Sequence, residues 1–129
     1  MSIRAEQRTP DLAERPLFGS GDAADLEAVF KALANANRVR ILHALHRAGE
    51  MSVGELAETV GMSQQALSNQ LQRLLDRGML RARRAGTRIH YRIEDPCLPA
   101  LLDLAACLVD ARCRTDASQP SAGSLPAGG

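Results

Sequence analysis

Aromatic side chains are nearly missing from this 129-residue chain, which has no tryptophan, one tyrosine and two phenylalanines. Its core must therefore come from Leu, Ile, Val and Ala, which suits closely packed helices and argues against a large aromatic-lined substrate pocket. No stretch approaches the roughly 18 consecutive apolar residues that a bilayer crossing needs. An N-terminal charged-then-apolar export pattern is also lacking, so a cytoplasmic protein without membrane contact is expected. There is no internal repeat. No cysteine precedes Cys97, which excludes a thiol switch pairing an early helix with a late one. An apolar fraction of 45% and a net charge of +1 fit one domain of modest core.

What is present centres on Ser52 to Leu75, SVGELAETVGMSQQALSNQLQRLL. Ser52 and Glu55 have capping-box spacing, and Val53, Leu56, Ala57 and Val60 share one face of a short helix. Gly61 ends it, and Ser63 is a ready N-cap for a second helix. Leu67, Leu71, Leu74 and Leu75 give that second helix an apolar face at i, i+4, i+7, i+8 spacing. Its opposite face carries Gln65, Ser68, Asn69 and Gln72, with no carboxylate before Asp76. Gln and Asn can bond an adenine edge bidentately and Ser can serve several bases, so the face suits DNA. By pattern alone, an ordinary amphipathic surface helix is the commoner explanation; the sequence that follows decides against it.

From Met79 to Ile93 the chain reads MLRARRAGTRIHYRI, two short strands (Leu80 to Arg84, Arg88 to Ile93) around a turn at Ala85, Gly86 and Thr87. Between Arg73 and Arg92 seven arginines face one acid, Asp76, a local balance of +6 in a chain of only +1. Positive charge focused beside a helix-turn-helix is the electrostatic footprint of phosphate contact. The predicted DNA-contacting set is Ser63, Gln64, Gln65, Ser68, Asn69, Gln72 and Arg73 on the helix, with Arg83, Arg84, Thr87 and Arg88 on the wing.

These segments carry a resemblance. FKALANANRVRILHAL, ELAETVGMSQQALSNQLQRLLDRGML and RRAGTRIHYRI, in this order and spacing, resemble the ArsR/SmtB family of bacterial winged-helix, metal-responsive repressors, over about Leu26 to Cys113. The resemblance implies a mainly α fold with a small β-hairpin wing, a winged helix-turn-helix that forms a homodimer through its N- and C-terminal helices. It also implies two recognition helices presented to successive major grooves of a pseudo-palindromic, double-stranded operator. The family usually has a histidine where this chain has Gln70, which leaves DNA contact intact and puts in doubt any coupling role of that histidine.

Along the chain, residues 1–21 read as a mobile N-terminal arm whose Leu12, Leu17 and Phe18 could dock. Residues 22–114 read as the DNA-binding and dimerisation domain, and residues 115–129 as a disordered tail rich in Ser, Pro, Ala and Gly. Asp22 is expected to cap a helix bearing Leu26, Val29, Phe30 and Leu33, and Asn37 a second one bearing Val39, Leu42 and Leu45. His43, His46 and His90 read as surface or interface residues rather than ligands. In EDPCLPALLDLAACLVDARC, Asp95 with Pro96 or Leu98 with Pro99 opens a last helix. Its apolar surface is broader than one small core needs, as a dimer interface would be.

All three cysteines, Cys97, Cys107 and Cys113, fall in or beside that helix. Reduced thiols are the cytosolic default, so a structural disulfide is not expected. Cys97 and Cys107 lie about 15 Å apart along a helix, so one chain cannot clamp one ion with both; antiparallel pairing of two copies removes the difficulty. The resemblance aligns Asp95 and Cys97 with the Asp-x-His that opens one family sensor site, with Cys97 in place of histidine, while Cys107 and Ala111 do not match its later ligands. The family's other site, a Cys-x-Cys, is absent at Ser52-Val53-Gly54. A thiolate-rich site remains, suited to As(III) or Sb(III) ahead of Cd(II), Pb(II) or Hg(II). The expectation is a repressor that releases its operator when such an ion binds Cys97, Cys107 and Cys113. The alternatives are a thiol redox or persulfide switch of the same fold and a metal-independent DNA-binding regulator. A cysteine-dependent enzyme is disfavoured, since no oxyanion loop or third orienting group accompanies Cys97 and His90.

Overall fold

The computed structural model describes residues 11–110. Packing divides the chain after Ala34 into two compact units. In the first, a 3-10 turn at Leu12–Glu14 precedes α1 (Ser20–Leu33). Helix α1 starts two residues before the expected Asp22 cap: Gly19 is the N-cap and Asp22 lies in the first turn, where a carboxylate still complements the exposed N–H groups. Leu12 and Leu17 remain exposed.

The second unit opens on Asn35, whose side chain accepts from the Arg38 N–H at 3.0 Å and caps α2 (Ala36–Ala48). The expected cap was Asn37. Both asparagines suit the role by type, and only the backbone decides: Asn35 is extended while Asn37 is already helical. After Gly49 (φ 89°) come β1 (Met51–Ser52), α3 (Val53–Val60) and α4 (Gln64–Asp76). The Ser52 and Glu55 capping box is formed in both directions, with Ser52 N–H donating to Glu55 Oε1 at 2.9 Å and Glu55 N–H to Ser52 Oγ at 3.2 Å. Gly61 closes α3 in the left-handed region (φ 70°), and the Ser63 hydroxyl caps α4 by accepting from Ala66 N–H at 3.1 Å. These local signals hold two short helices at a fixed angle.

Strands β2 (Leu80–Ala85) and β3 (Arg88–Ile93) form the wing hairpin, with Gly86 at φ 68° in a two-residue turn. A strand not expected from the sequence, β1, joins them to give the antiparallel order β1-β3-β2. Met51 pairs with Tyr91 and Ser52 with His90, while Arg83 faces His90 from the other side. Helix α5 (Cys97–Val109) ends the described chain. The core of this unit is aliphatic: Ile41, Leu42 and Leu45 of α2, Leu56 of α3, and Leu67, Leu71 and Leu74 of α4 are fully buried. Burying each such side chain contributes on the order of 1.5–3 kcal/mol, which offsets the conformational entropy of fixing these helices. The scarcity of aromatics is thus met by an aliphatic core, as expected. Among the described residues, no helix is long and apolar enough to cross a membrane.

Candidate functional site

Burial of Leu67, Leu71 and Leu74 at 0 to 1% exposure fixes the rotation of α4, so its opposite face must look outward. Gln65, Ser68, Asn69, Gln72 and Arg73 are all exposed there, with Ser63 and Gln64 exposed at its N-terminal end. Gln72 Nε2 donates to Asp76 Oδ1 at 2.8 Å, which leaves its carbonyl oxygen outward as an acceptor. Gln70 sits on the flank, half-buried, where its Oε1 accepts from Arg38 Nη1 at 2.7 Å. This bond ties the candidate reading helix to α2. Arg40 adds a second cross-link by donating to the Val60 carbonyl at 2.8 Å.

The wing sorts its charges by strand alternation. Arg81, Arg83, Arg88, His90 and Arg92 share one face, whereas Leu80, Arg84, Ile89, Tyr91 and Ile93 lie on the other. Two acids from outside the arginine-rich window reach that basic face. Glu94 holds Arg81, accepting from Nε at 2.6 Å and Nη2 at 3.2 Å; Glu50 holds Arg83, accepting from Nε at 3.0 Å and Nη2 at 2.8 Å. Both forks are bidentate, the strong geometry for this pair. The Arg83 hydrogen bond holds the Glu50 carboxyl below the ordinary range, with lesser contributions from the Arg83, His90 and Arg92 charges, and the Arg81 hydrogen bond does the same for Glu94. Both guanidinium groups are raised in turn, each first by its hydrogen bond. Two of the six excess positive charges read from the sequence are therefore neutralised internally. Arg84 and Arg88 have no ion-pair partner among the described residues, and Thr87 is exposed between them in the turn. Arg83 was expected to be as free as these; two of its N–H groups are committed to Glu50. Nothing in the local sequence around Glu50 signals that role, because its partner lies 33 residues away.

The thiols are placed differently. Cys97 is the first residue of α5, exposed, with its backbone N–H donating to Asp95 Oδ1 at 2.8 Å. Asp95 thus acts near the helix start as expected, although Pro96 is the N-cap. Cys107 is half-buried on the same helix, ten residues on, and Cys113 lies outside the described residues. Cys97 is the free thiol among the described residues. Among the described residues no three His, Cys, Asp or Glu side chains converge as a metal site.

Around the thiols, α5 is conspicuously apolar outward. Only Leu98 is buried; Leu104, Leu108 and Val109 are 68%, 70% and 83% exposed. Between α2 and α5 runs a groove of about 880 Å³ lined by Val39, His43, His46, Pro99, Leu102 and Asp103 among others. His43 and His46 therefore belong to a groove wall, and no aromatic residue lines it, in keeping with the composition.

Residues 33–83 match the helix-turn-helix domain family. A probable mercury resistance operon repressor of Streptomyces lividans is 39% identical over 79 residues, which cover 61% of this chain and 62% of the relative, so the chain spans somewhat under two thirds of that protein. Among solved structures, the AntR antimony-specific transcriptional repressor superposes with a TM-score of 0.71 at 52% identity, covering 79% of this chain and 92% of that one. The homodimeric winged helix-turn-helix domain of a possible ArsR-family regulator from Mycobacterium bovis superposes with a TM-score of 0.63 at 36% identity, covering 76% and 93%. These relatives are DNA-binding regulators of transcription, not enzymes.

Proposed function

Since the chain belongs to the ArsR/SmtB family of winged helix-turn-helix regulators, we propose that it is a homodimeric repressor that releases its operator when a thiophilic metal(loid) ion binds at α5. The observation that carries the DNA half is the outward face of α4, where Gln64, Gln65, Ser68, Asn69 and Gln72 stand exposed on a helix whose other face is locked into the core. Such side chains read base edges in the major groove, while Ser63, Arg73, Arg84, Thr87 and Arg88 reach phosphate. The exposed apolar ridge of α5, together with the homodimeric neighbour, supports pairing of two copies. A pair related by a two-fold axis would read a pseudo-palindromic duplex, one half-site per α4.

The donor set supports a soft ion. Cys97 of one copy and Cys107 of the other approach each other only if α5 packs antiparallel, with Cys113 able to complete the set. Thiolates without histidine suit As(III) or Sb(III) before Cd(II), Pb(II) or Hg(II), and the antimony-specific neighbour at 52% identity agrees with that order. The dimer geometry that brings these sulfurs together is taken to differ from the one that matches groove spacing, so inducer and operator oppose each other by linkage.

A second reading starts from the exposed free thiol of Cys97: a thiol redox switch, in which oxidation rather than an ion changes the dimer. Titration of the reduced, metal-free protein with As(III), Sb(III), Cd(II) and Zn(II), followed by thiolate absorbance and by operator release, separates the two. Binding of a soft ion that needs both Cys97 and Cys107, with release lost in Cys97→Ser, is the expected result. Operator release by oxidant alone, with no ion bound, would transfer the assignment to the redox switch. DNA binding indifferent to both would leave a metal-independent regulator.

A further inference from the structure

The carboxylate of Glu50 stands on the same face of the wing as five basic side chains. Electrostatics alone says that it should weaken DNA binding, because it cancels a positive charge where phosphate would lie. Its geometry says otherwise. Glu50 immediately precedes β1, and Arg83 lies on β2, so in the order β1-β3-β2 their ion pair passes over the middle strand. The row it reinforces is Ser52, His90 and Arg83, the last row in which three strands lie side by side. Beyond it the wing is a two-stranded ribbon, Arg84 and Ala85 against Arg88 and Ile89, with Gly86 and Thr87 at the tip. Two-stranded ribbons twist more than wider sheets and hold little fixed shape alone. Arg84, Thr87 and Arg88, the wing residues assigned to phosphate, all sit on this unsupported tip. The other wing pair, Arg81 with Glu94, is internal to the hairpin and its exit, so it cannot orient the tip against the preceding chain.

We propose that Glu50 is a positioning residue for operator binding: by gripping Arg83 with both carboxylate oxygens, it sets the pose in which the wing tip delivers Arg84 and Arg88 to the DNA backbone. Arg83 acts here as the gripped group and not as a phosphate contact. The proposal rests on the DNA-binding reading above, and it predicts the opposite sign from charge counting.

The test uses the full-length wild-type protein and a duplex that it selects from a random-sequence pool. Glu50→Gln is expected to weaken binding about five- to tenfold and to lower the slope of log affinity against log salt by about 1 to 2, as tip contacts to phosphate are lost. Arg83→Ala should do the same, and the two changes together should do no more than either alone. The exchange of charges in Glu50→Arg with Arg83→Glu should restore most of the loss, which a general folding defect would not permit. Equal or tighter binding by Glu50→Gln, with an unchanged or steeper salt slope, overturns the proposal while leaving the DNA-binding reading intact. Failure of the wild type to select any duplex overturns both.

Discussion

Arg38 and Gln70, 32 positions apart, are joined by a 2.7 Å hydrogen bond that runs from the Arg38 guanidinium on α2 to the amide oxygen on α4. Gln70 is the position at which the family resemblance implies a histidine. The glutamine therefore has a role of its own in this chain, holding the reading helix against α2. Replacing it by leucine leaves a partly buried guanidinium without that acceptor, at a cost of about 1–2 kcal/mol. Urea unfolding of Gln70→Leu should show this loss, with Gln70→His recovering part of it; an unchanged midpoint would mean the bond is idle.

Gly61 turns the chain between α3 and α4 at φ 70°, and a Cβ there would meet nothing within 4 Å. The penalty of Gly61→Ala is then conformational alone, about 1–2 kcal/mol. Chemical denaturation should register that loss without a change in the slope m.

Glu55 makes stability depend on acid. Its carboxyl is held below its ordinary value of 4.5, first by the Ser52 N–H and then by the Ser52 hydroxyl. A depressed value in the folded state means that the contribution is full above about pH 4.5 and is lost as pH falls through the lowered value. Glu55→Gln keeps an acceptor but cannot titrate. The difference in Tm between wild type and Glu55→Gln should accordingly shrink between pH 6 and roughly pH 3, and a constant difference would refute this account.

Leu104 and Leu108 are 68% and 70% exposed on α5. Changing both to glutamate adds no buried charge to the single chain, yet it places like charges in the proposed interface. Sedimentation should show monomers that still unfold cooperatively, at lower urea than the wild-type dimer because association stabilises the folded state, and operator affinity should fall by well over about tenfold as the second half-site contact is lost. Persistence of the dimer would move the interface elsewhere.

Arg84→Ala and Arg88→Ala should each weaken binding to all sequences alike and reduce the salt slope by about 1. Asn69→Ala, by contrast, should relax preference at a single base-pair position. Selection from a random pool with each variant distinguishes the two patterns.

The parts legible in the sequence were those whose cause is local. Ser52 with Glu55, Gly61 and Ser63 act within one turn of chain, and Leu67, Leu71 and Leu74 declare their face by spacing; all took the expected places. The second helix shows the limit: Asn37 was the expected cap, but the backbone is extended at Asn35 and already helical at Asn37, so the cap falls two residues earlier. What stayed hidden was non-local. Strand β1 is only Met51–Ser52, too short for any alternation, and it exists because β3 passes beside it. The partners of Arg81 and Arg83 lie 13 and 33 positions away, so a charge count of the hairpin overstated what is free.

Ser52 is at once the final residue of β1 and the capping residue of α3, and it is 4% exposed. No slack lies between sheet and helix there. The root of the wing cannot swing independently of α3, so in the proposed dimer each copy would meet DNA as a stylus with a fixed base. For two such copies, the quantity left to adjust is the gap between their points, as in a pair of calipers. Control of transcription would then reside in the joint between copies, and the reading surface could drift toward new operators without retuning how the protein is switched off.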